Sequence, residues 1–265
     1  VPTLPLYQVD AFSDRPFAGN PAAVCPLTAP IPDALMQDIA AENNLSETAF
    51  FHPQGDAFSL RWFTPTTEVD LCGHATLASA FVLMTELEPE RTEVTFRTRS
   101  GTLSVRRRDD QLVMDLPAYP AAPADAETSA RVAEALRVQP TEVIRARSLF
   151  AVLDGAAAVR AFAPDFGALS RLPTTIGITA AGTDEQRPVD FVARYFAPTF
   201  GVNEDPVTGS AYCTLAPYWA ARLGKPEMRA RQVSRRGGEL SCALAGDRVQ
   251  IGGKARLVIT GTLAY

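Results

Sequence analysis

The chain has 265 residues, with 25 Lys plus Arg against 30 Asp plus Glu and a net charge of -5. It carries no long basic run, which excludes the electrostatic footprint of a nucleic-acid binder. Four widely spaced cysteines, Cys25, Cys72, Cys213 and Cys242, without a C-x-x-C pair and with only two histidines in the chain, give neither a zinc-site spacing nor a disulfide framework.

Taken in chain order, Tyr7, Val9 and Ala11 alternate as in a strand, and the loop from Asp14 to Pro21 carries the turn signal Gly19-Asn20-Pro21. Ala22 to Pro26 reads as a short strand. Leu35, Met36 and Ile39 after Pro32 predict a helix over 32–44. Strands are expected at Thr48 to His52, which places Glu47 at a helix-to-strand junction, and at Phe58 to Phe63. A helix follows from about His74 to Leu87. Thr92 to Arg97, Thr102 to Arg107 and Leu112 to Leu116 read as a meander, with Arg106, Arg107 and Arg108 in a solvated hairpin.

Pro117, Pro120 and Pro123 make a stiff connector, so domains of 1–117 and 118–265 are expected, with the final strand free to cross back. Beyond the connector come a helix near Thr128 to Leu136 and strands near Glu142 to Arg147, Ala158 to Phe162, Thr175 to Ala180 and Val189 to Phe196. A helix then runs to about Leu223. Strands around Met228 to Val233, Leu240 to Ala245, Arg248 to Ile251 and Ala255 to Leu263 close the chain. Few strands are joined by long helices, which favours an α+β fold over a doubly wound parallel sheet.

One passage occurs twice. Arg61, Phe63 and Pro65 match Arg194, Phe196 and Pro198 at an offset of 133, and Gly73 and Ala75 match Gly209 and Ala211 at an offset of 136. Each copy runs from an aromatic strand through an acid-bearing loop to Gly, a polar residue (His74 or Ser210) and an Ala-rich helical run. Two such units imply two similar halves. Free N–H groups at both helix starts would favour an anion, so a cleft gripping one small acid from both sides is expected. The loops concentrate Asp70, Cys72 and His74 in the first copy and Glu204, Asp205 and Ser210 in the second.

Glu47, at the edge of an apolar strand, is a candidate acid/base, because partial desolvation would raise its pKa toward neutrality. Its plain alternative is a turn residue beside Ser46. His74 and Ser210 could equally be helix-start residues and Asp205 a turn aspartate before Pro206. Cys72, just before a helix, is expected to have the depressed pKa of a reactive thiol, whereas Cys213 reads as a small core residue. The second copy offers no matching thiol, which disfavours a two-thiol racemase.

The segments V-D-A-F-S-D-R-P-F-A-G-N-P-A-A-V at 9–24, N-L-S-E-T-A-F at 44–50, F-T-P-T-T-E-V-D-L-C-G-H-A-T at 63–76 and E-D-P-V-T-G-S-A at 204–211 together resemble the PhzF family of phenazine biosynthesis. That family shares its fold with diaminopimelate epimerase and proline racemase. The resemblance implies two similar domains, each a barrel-like, mostly antiparallel sheet around a central helix, with one active site between them and no metal or organic cofactor. It implies that Glu47 is the principal acid/base and that His74, Asp205 and Ser210 contact the substrate and assist proton transfer. Gly73 and Gly209, at the two helix starts, and Asn20 are candidates for substrate binding.

The expected function is a cofactor-independent isomerase moving a proton on a small carboxylic acid of the dihydro-hydroxyanthranilate type. The alternatives are a racemase or epimerase of an amino or hydroxy acid using Cys72 and Asp205, and a metabolite-binding protein on the same fold. Arg235 and Arg236 are candidates for a carboxylate contact. No apolar stretch reaches the roughly 20 residues of a membrane span, and V-P-T-L-P-L-Y lacks signal features. A cytoplasmic homodimer with no nucleic-acid or membrane partner is therefore expected.

Overall fold

In the computed structural model, which describes residues 1–182 and 188–265, the alternating N-terminal segment forms strand β1 (Thr3–Ala11), followed by β2 (Asn20–Pro26) and helix α1 (Asp33–Asn43). Then come β3 (Glu47–Gln54), β4 (Ala57–Phe63), the short β5 (Glu68–Val69), α2 (Gly73–Val82), and the meander β6 (Glu93–Thr98), β7 (Gly101–Arg108) and β8 (Gln111–Pro117). Every residue of α2 except Phe81 is buried. A helix apolar on all sides has to sit inside, and α2 packs on β1, β2 and β3. Met36, Ile39 and Ala40 of α1 join Leu4, Cys25, Phe50 and Phe63 in a second apolar layer.

After the short β9 (Ala122–Pro123), the chain continues through α3 (Ala126–Leu136), β10 (Glu142–Arg145), β11 (Leu149–Val152), α4 (Ala156–Ala161), α5 (Phe166–Leu169), β12 (Ile176–Ala181) and β13 (Phe191–Ala197). It then forms β14 (Val202–Asp205), α6 (Tyr212–Leu223), β15 (Glu227–Gln232), β16 (Gly238–Ala245), β17 (Arg248–Gly253) and β18 (Ala255–Ala264). Tyr212, Cys213, Leu215, Ala216 and Trp219 bury the inner face of α6, which packs on β15 and β16. Val132, Leu149, Ile178, Val192 and Phe196 belong to a further core.

The duplication extends well beyond the matching letters. In the first unit β1–β2, β3–β4, β4–β5 and β6–β7 are antiparallel while β2–β3 and β4–β6 are parallel. The second repeats that pattern: β10–β11, β12–β13, β13–β14 and β15–β16 antiparallel, β11–β12 and β13–β15 parallel. Register repeats too, since Thr48 pairs with Phe63 and Ile176 with Phe196. The fold is α+β.

Two expectations need correction. Ala158 to Phe162 is not a strand but lies largely in helix α4, because Gly155 is followed by three alanines, the strongest helix formers. The expected helix start at Gly209 is a 3-10 turn, Gly209–Ala211, that runs on into α6. The first unit comprises Val1–Leu116 with Ile251–Tyr265, and the second Pro117–Gln250. The reason is the pairing of β18 with β1, from Thr3 against Ala264 to Ala11 against Ala255. Among the described residues, no helix is long and apolar enough to cross a membrane.

Candidate active site

Three elements of the first unit bring their ends together. Gly19, at φ +69, turns the chain into β2, and a Cβ there would lie 2.1 Å from the Ala11 carbonyl oxygen, so the turn requires glycine. The buried Asp10 carboxylate accepts the Phe17 N–H at 2.7 Å and anchors the same loop. Asn20 then opens β2, Glu47 opens β3, and His74 stands in the first turn of α2. Ala22 pairs with Glu47 across the parallel β2–β3 ladder, which fixes the carboxylate beside the helix start.

The resulting cluster is tight. His74 Nε2 lies 3.1 Å from Glu47 Oε2, with side-chain exposures of 4% and 18%. Asn20 Nδ2 is 3.1 Å from His74 Nδ1, and Cys72 Sγ is 3.4 Å from the same nitrogen. Burial disfavours a charged imidazole, but the neighbouring Cys72 and Glu47 outweigh it and raise His74 well above its ordinary value. A carboxylate against an imidazole nitrogen is a pair that can share a proton.

Cys72 departs from expectation. Burial, reinforced by the Glu47 charge, pushes its thiol up to about 11, even though His74 and the Ala75 N–H oppose the shift. Desolvation therefore outweighs the helix start, and the thiol keeps its proton at neutral pH. Asp70 is exposed, 4.0 Å from Arg99, and stands apart from the cluster's hydrogen bonds.

The repeated acids have a different job. Arg61 donates from Nε and Nη2 to Glu68 at 2.7 and 2.7 Å, and Arg194 donates from the same two atoms to Glu204 at 2.7 and 2.9 Å. The two guanidinium groups lie over Phe63 and Phe196, 5.1 and 5.2 Å from the ring centroids. Glu204 is thus half of a structural clamp that holds the loop.

Asp205 pairs with Tyr195 where Val69 pairs with Trp62, so it has no acidic counterpart in the first unit. Its Oδ2 accepts from Thr208 Oγ1 at 2.6 Å, and Thr208 stands where Cys72 stands in the first copy. Buried Gln232, which carries no motif signal in the sequence, locks this loop by accepting the Thr208 N–H at 2.9 Å and donating to the Asp205 carbonyl at 2.6 Å. Ser210 is partly exposed within the 3-10 turn, beside the buried Gly209. The bend holding Arg235 and Arg236 is tied to the loop by Ser234 Oγ donating to the Pro206 carbonyl at 2.8 Å.

Where Glu47 opens β3, Thr175 stands just ahead of β12. Thr175 Oγ1 and Ser148 Oγ each lie 2.6 Å from Tyr195 Oη, so the second unit has hydroxyls where the first has a carboxylate.

Residues 9–261 match the family described as phenazine biosynthesis-like protein, PhzC-PhzF. Two uncharacterized isomerases of Pseudomonas aeruginosa are 51% and 50% identical to this chain over 261 and 262 residues, covering 98% of each sequence. The crystal structure of a PhzF-family phenazine biosynthesis protein of Enterococcus faecalis superposes with a TM-score of 0.92 at 43% identity, over 100% of both chains. A hydroxyproline epimerase of Agrobacterium vitis, at 13% identity and a TM-score of 0.61, shares the fold. Relatives that are named isomerases and match from end to end carry that reaction class to this enzyme. On this evidence the chain belongs to the PhzC-PhzF, phenazine biosynthesis-like family.

Proposed function

We propose that the protein is a cofactor-independent isomerase that moves a proton within a small carboxylic acid, of the dihydro-hydroxyanthranilate type, with Glu47 as acid/base. The observation that carries this reading is the 3.1 Å contact between Glu47 Oε2 and His74 Nε2, largely withdrawn from water. The Glu47 carboxylate takes a proton from one ring carbon as the C–H electrons form a new double bond and displace the adjacent π pair onto a farther carbon. It returns that proton to a second carbon, so the product is an isomer and the enzyme is unchanged. His74 holds the carboxylate in position and balances its charge. A positioned acid/base of this kind contributes about 10²- to 10⁴-fold in rate.

Asn20, Gly73 and Gly209 are placed in substrate binding in this reading, and the family resemblance implies that Asp205 and Ser210 assist the proton shift. Cys72 as the base of a racemase is less favoured, because a buried, protonated thiol is a poor proton acceptor.

The test is solvent deuterium incorporation into a dihydro-hydroxyanthranilate-type acid. Glu47→Gln keeps the shape of the side chain but cannot ionise, so exchange should fall by about 10²- to 10⁴-fold while ligand-induced thermal stabilisation is retained. Unchanged exchange in this variant removes Glu47 from the mechanism.

A further inference from the structure

Glu47, Cys72 and His74 lie 25 and 2 residues apart along the chain, a spacing that gives no metal motif, yet the fold brings their donor atoms together. A carboxylate oxygen, a thiol sulfur and an imidazole nitrogen all lie within 4.8 Å of one another. His74 Nε2 is 3.1 Å from Glu47 Oε2 and 4.0 Å from Cys72 Sγ. Around a tetrahedral Zn2+, with bonds of roughly 2.0–2.3 Å, neighbouring ligand atoms stand roughly 3.3–3.6 Å apart. The two observed separations bracket that range and the third lies within 4.8 Å, so binding requires side-chain rotation that draws the three atoms onto one ion.

We propose that this trio binds one thiophilic divalent cation of the Zn2+ class, with three protein ligands and a fourth position open, and that the bound ion blocks the proton transfer. The donor set selects the metal. Sulfur and imidazole nitrogen suit Zn2+ and Co2+, whereas Mg2+ and Ca2+ require oxygen ligands throughout. The site is held before any ion arrives: Cys72 and His74 flank the start of α2, Glu47 is fixed by its strand ladder, and the Asn20 amide lies 3.1 Å from the other imidazole nitrogen. A turn of that amide would set its oxygen to accept the N–H of a ligating histidine. Glu47, the most exposed of the three side chains, marks the approach. Inhibition rests on the assignment of Glu47 as acid/base; metal binding does not.

The experiment uses the full chain after treatment with a chelator, titrated with Zn2+ against a chromophoric competitor and separately with Co2+. One Zn2+ per chain is expected, together with a near-ultraviolet thiolate-to-Co2+ charge-transfer band. Cys72→Ser should abolish the band and weaken Zn2+ by more than about 100-fold, beyond the loss from removing an outer-shell partner. Cys213→Ser, in α6, should change neither. Glu47→Gln, at a partly exposed position, should weaken Zn2+ by at least about tenfold and provides a readout should Cys72→Ser fail to fold. Absence of stoichiometric binding, or a band that survives Cys72→Ser in folded protein, overturns the site. Stoichiometric Zn2+ with undiminished deuterium exchange leaves the site standing and overturns the role given to Glu47.

Discussion

The duplicated clamp allows one substitution to be made twice in the same molecule, in two environments. In the second unit the Arg194 side chain is 10% exposed and Glu204 17%. Besides the carboxylate, that guanidinium donates to the carbonyls of Phe162 at 2.5 Å and Val159 at 3.4 Å. Glu204→Gln leaves this buried cation without its counter-charge, a loss of about 3–5 kcal/mol. In the first unit Arg61 is 26% exposed and retains Asp33 at 2.6 and 3.0 Å when Glu68 is neutralised. Partial hydration and the second carboxylate reduce the expected cost of Glu68→Gln to about 1–2 kcal/mol.

The chain has two tryptophans, buried Trp62 in the first unit and buried Trp219 in the second. Urea unfolding in Trp62→Phe and Trp219→Phe backgrounds therefore follows each unit by its own fluorescence. With m-values of about 1–3 kcal/mol per molar urea, the midpoint of the second unit should fall by about 2 M in Glu204→Gln. That of the first should fall by about 0.5–1 M in Glu68→Gln. Equal shifts, or a larger one for Glu68, would refute the argument that burial of the guanidinium sets the cost.

Two further outcomes concern stability. At Asp190, burial pushes the carboxyl up, but the Lys225 ammonium at 2.6 Å and the Arg229 N–H at 2.8 Å outweigh it and hold it below the ordinary value. A depressed carboxyl contributes stability above its unfolded pKa, near 3.9, and loses it as pH falls through the folded value. Asp190→Asn should therefore flatten the acid side of a stability-against-pH curve, and an unchanged slope below about pH 4 would count against the pairing. Gly19→Ala sets a Cβ against the Ala11 carbonyl at positive φ and should cost about 2–3 kcal/mol in chemical unfolding. A neutral result would mean that the turn ahead of Asn20 can relax.

Much of the architecture was legible because the repeat gave two views of one unit. Arg61, Phe63 and Pro65 against Arg194, Phe196 and Pro198 marked the strand, loop and helix before any fold was known. Their letters did not disclose that Glu68 and Glu204 are clamp residues, because a carboxylate in a loop looks the same whether it faces a guanidinium or a substrate. The meeting of Glu47 and His74 depends on a parallel β2–β3 ladder that no local spacing encodes. At Cys72 the helix position is visible in the sequence and the desolvation is not. At Ala158 to Phe162 the alanines that follow Gly155 decide the backbone, and a helix forms where a strand is expected. Gln232 stood in no motif at all.

The antiparallel pairing of β18 with β1 has a consequence for how the protein is made. Residues 3–11 find their partners at 255–264, so on the ribosome the first unit waits with one strand edge open while the whole second unit is synthesised. The second unit, continuous from Pro117 to Gln250, can close before the first does. The late closure joins segments some 250 residues apart, which slows folding and leaves β1 exposed to non-native strand pairing in the meantime. Shortening the chain before Ala255 would leave the second unit whole and the first, with Glu47 and His74, without its closing strand.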